Sequence, residues 1–145
     1  MSTIIKKGFP KTERLKSTQQ IDLLFREGKS FFAPPVKCYY RLLKPETPAL
    51  SEILLKKGSV ASVKAGVSVS KRNFKKATDR NRIKRLMREA YRLHKAHLFE
   101  LVHNREEQLE IFLVYTDKSM PAFSLLEEKI KYSLRRLIRT VEGAT

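Results

Sequence analysis

Residues Thr78 to Val102 constrain the fold most, because they repeat with a helical period and sort two kinds of side chain onto opposite flanks. Advancing about 100° per residue from Asn81 gathers Ile83, Leu86, Met87, Ala90, His94, His97 and Leu101 on one arc. Asn81, Lys84, Arg85, Arg88, Arg92 and Lys95 fall on the opposing arc, with Arg80 and Arg82 at its margins. The spacing predicts one long helix, capped by Thr78 or Asp79, with an apolar flank that must be buried by the rest of the chain.

A solvated helix face normally mixes both signs of charge, often with Glu four residues before Lys or Arg. Here residues 71–95 hold eleven Lys and Arg side chains against only Asp79 and Glu89. That segment therefore carries +9 of the chain's net +16, whereas residues 96–128 sum to −5. Like charges crowded on one arc repel unless an anion neutralises them, so the stripe implies a polyanionic partner. With 41% hydrophobic residues in 145, the chain is expected to fold as a single domain, residues 1–145, rather than act as a disordered basic tail. A +16 excess points to nucleic acid before a membrane surface as that partner, and no apolar run approaches the roughly 20 residues a bilayer span needs. A lone Cys38 excludes an internal disulfide and a Cys-based zinc site, and residues 1–7 are too short in apolar length for a secretory signal. A reducing, cytoplasmic location is the expectation.

The other elements follow from local patterns. Ser17 and Gln20 are spaced as a capping box, Ile21, Leu24 and Phe25 then share a helical face, and Gly28 is a natural stop. From Val36 to Leu43 alternation puts Val36, Cys38, Tyr40 and Leu42 on one side of a strand and Lys37, Tyr39, Arg41 and Leu43 on the other. Val63 to Ser70 alternates more strictly, with Lys64, Gly66, Ser68 and Ser70 forming a small-residue floor that a backbone or a base can approach closely. Leu109 to Tyr115 is almost continuously apolar and is expected inside a sheet. After Pro121, Ser124 and Glu127 form a second potential capping box, and Leu126, Ile130, Leu134, Leu137 and Val141 line the buried side of a last helix whose Lys131, Arg135 and Arg139 make a separate basic row. Residues 1–13 are expected to be extended, and 45–58 to form a long connection. The fold class is α+β, a single sheet with helices packed on it in the order α-β-β-(β)-α-β-α.

No set of residues suits protein-based catalysis. His94 and His97 are three apart but lie on the apolar arc with no companion Glu or Cys, so neither a metal site nor a general base is expected. Glu106, Glu107 and Glu110 are expected in a solvated acidic loop that repels RNA.

The run from Ser70 through Arg92, with Arg80-Asn81-Arg82-Ile83-Lys84-Arg85-Leu86 at its centre, resembles the protein subunit of bacterial ribonuclease P. The likeness extends to Phe9-Pro10-Lys11 with Arg14-Leu15, to Gly66-Val67-Ser68-Val69-Ser70-Lys71, and to the last strand and helix. The resemblance implies an α/β sandwich similar to the second domain of ribosomal protein S5, with a left-handed βαβ crossover. It implies that Lys71, Arg72, Arg80, Asn81, Arg82, Lys84, Arg85, Arg88 and Arg92 contact the catalytic RNA. It also implies that Phe25, Tyr39, Lys37 and Arg41 line a cleft for the single-stranded 5′ leader of precursor tRNA. The partners implied are these two RNAs, with no further protein. The chemistry, removal of the leader with Mg²⁺, would belong to the RNA subunit, so no catalytic or metal-binding residue is assigned to the protein. Two departures stand out: Ile21 occupies a position where the family commonly has a cleft phenylalanine, and the 45–58 connection is longer than usual. A structural RNA-binding protein such as a ribosomal component remains the alternative, with a DNA-binding regulator behind it. The latter lacks a partner helix at helix-turn-helix spacing.

Overall fold

Among the described residues four strands form one mixed sheet in the order β1-β2-β4-β3, comprising β1 (Lys29–Ala33), β2 (Val36–Leu43), β3 (Val63–Val69) and β4 (Gln108–Tyr115). The structure is a computed structural model that describes residues 8–44 and 62–143. The long connection expected at 45–58 and the first seven residues of the extended N-terminal segment lie outside the described residues. Within that segment Lys11–Glu13 is not extended but makes one turn of 3-10 helix.

β1 and β2 are an antiparallel hairpin closed by Pro34-Pro35, and β2 runs antiparallel to β4 with Tyr39 opposite Phe112 and Arg41 opposite Glu110. β3 is parallel to β4, so the chain between them must cross over, as the resemblance implies. β4 is the interior strand its composition predicts. Seven of its eight residues are buried.

The helices among the described residues are α1 (Thr18–Glu27), α2 (Ala77–His94), α3 (Ala96–Asn104) and α4 (Phe123–Gly143). α1 begins as its capping box predicts, with the Ser17 hydroxyl accepting from the Gln20 amide at 3.4 Å. Its C-cap, Gly28, has no room for a side chain: a Cβ there would lie 2.5 Å from the Leu24 carbonyl oxygen and 2.7 Å from that of Tyr40. α1 covers one face of the sheet through Leu24, which meets Leu15 and Phe112 in a small apolar cluster. The opposite face carries the main core, where Val36, Cys38, Ala65, Ile111 and Leu113 pack against Ile83, Met87 and Ala90 of α2 and against the predicted apolar row of α4.

Three local expectations are corrected. The long helix from Thr78 to Val102 is two helices, because Lys95 turns inward at the junction. Its ammonium is almost wholly buried, donates to Glu13 Oε1 at 2.5 Å and also bonds the Gly8 carbonyl. Burial of that charge against a buried carboxylate outweighs the outward direction the helical period assigns it. The break resets the phase, so Leu98, Phe99 and Val102 are buried while His97 is exposed and His94 is half-buried. Second, α2 starts at Ala77, two residues too early for a Thr78 cap and three too early for an Asp79 cap, and its N-cap Lys76 makes no side-chain bond. Third, α4 starts at Phe123, which puts Ser124 inside the first turn, and Glu127 bonds His94 Nε2 at 3.0 Å instead of completing a capping box.

Candidate nucleic-acid interface

The outer flank of α2 is built as its period predicts. Ile83, Met87, Ala90 and Tyr91 are buried, while Asn81, Arg82 and Arg85 are exposed and Lys84 and Arg88 are half-buried. Among the described residues none of Arg82, Lys84, Arg85 or Arg88 meets a carboxylate. The approach to the helix is held by Arg80, whose guanidinium donates to the carbonyls of Phe74 at 2.7 Å and Lys75 at 2.9 Å. Arg80 therefore organises the turn that presents Lys71 and Arg72, both exposed. Asn73 ties the same turn to the end of β4, donating to the Thr116 carbonyl at 3.0 Å.

Two α2 arginines are more specialised. Arg92 is engaged by Glu89 in a two-point contact at 2.9 and 2.6 Å. That hydrogen bonding raises the Arg92 pKa and lowers that of Glu89. Arg88 moves the other way: partial burial, followed by the positive charge of Arg14, lowers its pKa.

The second surface lies beside α1 on the opposite face of the sheet from the main core. Phe25 of α1 is 45% exposed, with its ring 4.7 Å from Tyr39 and 5.4 Å from Phe112 between centroids. Lys37 places its ammonium 5.1 Å from the centre of the Tyr39 ring. Ile21 packs against the small cluster under this surface, together with Val114. The structure thus brings Phe25, Tyr39 and Lys37 together. Arg41 has its guanidinium paired instead, with Glu110 at 2.9 Å and Glu27 at 3.1 Å.

Two members of this surface escape the sequence reading. Phe112 sits in a strand so apolar that alternation cannot assign its side, yet it lies opposite Tyr39 in the register and supplies the third ring. Phe32 is 54% exposed and pairs with Lys37 across the hairpin; its signal was an aromatic next to another aromatic, Phe31, only one of which a strand can bury. The small-residue floor is filled from within. A Cβ on Gly66 would lie 2.7 Å from the Phe112 ring and 3.0 Å from the Leu15 carbonyl oxygen, so the close approach it allows is the protein's own.

The acidic stretch is also corrected. Glu107 and Glu110 are buried rather than solvated, and each holds an arginine, Glu107 pairing with Arg105 at 2.9 Å. Glu106 is exposed, in keeping with the expectation for that residue. Among the described residues no group of three or more His, Cys, Asp or Glu gathers as metal ligands. None of the helices, over the same residues, is long and apolar enough to cross a membrane.

Comparison with known proteins agrees with this geometry. Residues 9–140 match the family model for Ribonuclease P. The chain is 35% identical over 137 residues to the ribonuclease P protein component of Porphyromonas gingivalis, covering 94% of this chain and 91% of that one. It is 36% identical over 137 residues to that of Chlorobium phaeobacteroides, covering 90% and 88%. Among solved structures, the RNase P protein of Staphylococcus aureus superposes with a TM-score of 0.60 at 19% identity, covering 86% of this chain and 94% of that one. The RNase P protein of Thermotoga maritima gives 0.60 at 23% identity, covering 86% and 96%. With a cationic helix, an aromatic cleft and a match over nearly its whole length, the chain belongs to the ribonuclease P protein component family.

Proposed function

We propose that this chain is the protein subunit of ribonuclease P, binding the catalytic RNA through α2 and its approach and receiving the 5′ leader of precursor tRNA in the Phe25–Tyr39 cleft. The observation that carries the reading is the stripe of Arg82, Lys84 and Arg85, exposed or half-buried and without a carboxylate partner among the described residues. Phosphates supply the missing counter-charge, and their release of condensed cations drives binding. Lys71, Arg72, Asn81 and Arg88 extend the same surface, and Arg80 shapes it. Arg92 shares its guanidinium with Glu89, so its contribution to RNA is smaller than its position alone suggests. In the cleft, stacking of leader bases on Phe25 and Tyr39 is tolerant of sequence, as a subunit serving many precursors requires. Lys37 adds charge beside those rings, and Arg41 acts as their structural support. Family membership leaves no reason to prefer the ribosomal or DNA-regulator readings.

Hydrolysis of the phosphodiester, giving the mature 5′ end of tRNA, is assigned to the RNA subunit. The protein's described residues do not fit a divalent-metal centre, so Mg²⁺ is assigned to the RNA and substrate, and the protein's part is charge and position. Basic side chains at the junction of two RNAs replace cations that would otherwise be needed there. The place of action is the cytoplasm, where both RNAs are available. The test is cleavage of a precursor tRNA by bacterial ribonuclease P RNA, alone and with this protein, across Mg²⁺ concentrations. The protein should restore cleavage at low Mg²⁺; equal rates with and without it at low Mg²⁺ would sink the proposal.

A further inference from the structure

The N-terminal segment builds one wall of a cleft whose other wall is α2. The cleft has a volume of about 330 Å³, with Phe9 and Arg14 on one side and Arg85, Leu86, Arg88 and Arg92 on the other. That size is at the small end of ligand clefts, room for a phosphate and its sugar rather than for a duplex.

Arg14 is fixed in this wall with unusual thoroughness for a half-buried cation. Its Nε donates to the Phe9 carbonyl at 3.0 Å, and its guanidinium lies 5.3 Å from the centre of the Phe9 ring. Its backbone is bridged to Ala65 at the free edge of β3, and the next residue donates its amide to the Ala65 carbonyl at 2.9 Å. On the other side of Arg14, Glu13 is buried against Lys95. Phe9 in turn packs against Tyr91 of α2, the rings tilted by 51° with centroids 5.1 Å apart. The ordering cost of the cation is met within the fold, which favours binding of whatever it faces.

What it faces is Arg88. The two positive charges are close enough for Arg14 to depress the Arg88 pKa, and Glu89, the acid among the cleft's described lining, is taken up by Arg92. Two guanidinium groups lining one cleft are a repulsive arrangement that an anion between them relieves. Phe9 and Leu86 offer an apolar floor beside that anion, suited to the carbon face of a ribose. Arg85 belongs both to this cleft and to the exposed stripe, so the anion lies on the path of a chain already held by α2.

We propose that Arg14 and Arg88 jointly clamp a single RNA phosphodiester, with Arg85 at the cleft mouth, making Arg14 an RNA-binding residue supplied from outside the basic helix. The inference rests on the reading of this chain as the ribonuclease P protein. The phosphate belongs either to the catalytic RNA or to the precursor tRNA, and both are measured: affinity of the protein for catalytic RNA, and affinity of the reconstituted holoenzyme for precursor tRNA. Arg14→Ala and Arg88→Ala should each weaken one of these by about tenfold and make its salt dependence shallower by about one counterion. Because both side chains hold one phosphate, the double variant should lose little more than the worse single variant. Losses that multiply in the double variant, or an Arg14→Ala variant unchanged in both assays, would overturn the clamp. Arg88→Ala reads the cleft without disturbing the N-terminal segment, and Arg14→Lys, which keeps charge but loses the fork, should recover only part of the affinity. Arg82→Ala separates the two failures. If it weakens RNA binding while Arg14→Ala does not, the clamp alone is wrong; if neither does, the functional reading fails with it.

Discussion

The cations on α2 and those on the sheet and helix junction are the same residue types put to opposite uses. Arg41, Lys95 and Arg105 each meet a buried carboxylate, at 2.9, 2.5 and 2.9 Å. Arg82, Lys84 and Arg85 meet none among the described residues. Glu13, Glu107 and Glu110 are thus spent inside, on cations that hold elements together, whereas these three cations of α2 stay without a carboxylate among the described residues. A net charge of +16 counts both kinds alike; only the pairing separates structural cations from those available to a polyanion.

The sharpest way to break that distinction is to remove a buried partner. Glu13→Ala leaves the Lys95 ammonium buried without its carboxylate, at the point where α2, α3 and the N-terminal segment meet. Loss of about 3–5 kcal/mol is expected in urea unfolding. Arg82→Ala, by contrast, should move stability by under about 0.5 kcal/mol. Similar stability losses for the two variants would erase the distinction between the two sets of cations.

Function should respond in the reverse sense. Tyr39→Ala removes a stacking ring from the cleft, and should weaken precursor tRNA bearing a leader by about 1–3 kcal/mol while leaving leaderless tRNA unchanged, measured as affinity for the holoenzyme. Equal losses on both substrates would remove the cleft from leader recognition. Arg82→Ala should weaken catalytic RNA by about 1 kcal/mol, with a salt dependence shallower by about one counterion. A loss independent of salt would mean that Arg82 acts through shape and not through phosphate.

The same contrast explains which parts of the molecule can be read from sequence. Period and alternation depend on near neighbours, so the apolar row of α4, the strand from Val36 to Leu43 and the outward set on α2 are legible. Lys95 is not, because its direction is decided by Glu13, far away along the chain. Glu107 and Glu110 likewise look like solvent-exposed acids until Arg105 and Arg41 are brought beside them. Phe112 is hidden by the uniformity of its strand, since a run buried on both faces carries no alternation to read. Local patterns report which side of an element is apolar; they do not report which distant charge comes to meet it. Arg82, Lys84 and Arg85 could be read early because, among the described residues, no distant carboxylate meets them.

Cys38 extends the comparison to a buried group whose charged form has no carboxylate to replace and little water to hold it. It faces the main core from β2, and burial pushes its thiol up to about 12 from an ordinary 9.0, with Arg136 opposing only part of that rise. Because the folded pKa lies above the unfolded one, the unfolded chain gives up its proton first as pH rises. The resulting stability is complete below about pH 9 and is lost progressively between 9 and about 12. From pH 9 to 10 this group should lower unfolding free energy by about 1 kcal/mol. Tyr91 is also raised by burial, yet it starts from 10.0, so the lower half of the window belongs mainly to Cys38. Urea unfolding at pH 8, 9 and 10 should therefore show a decline in the wild type that Cys38→Ala flattens. An equal decline in both would assign the alkaline loss to other groups and leave the thiol with a purely steric place in the core.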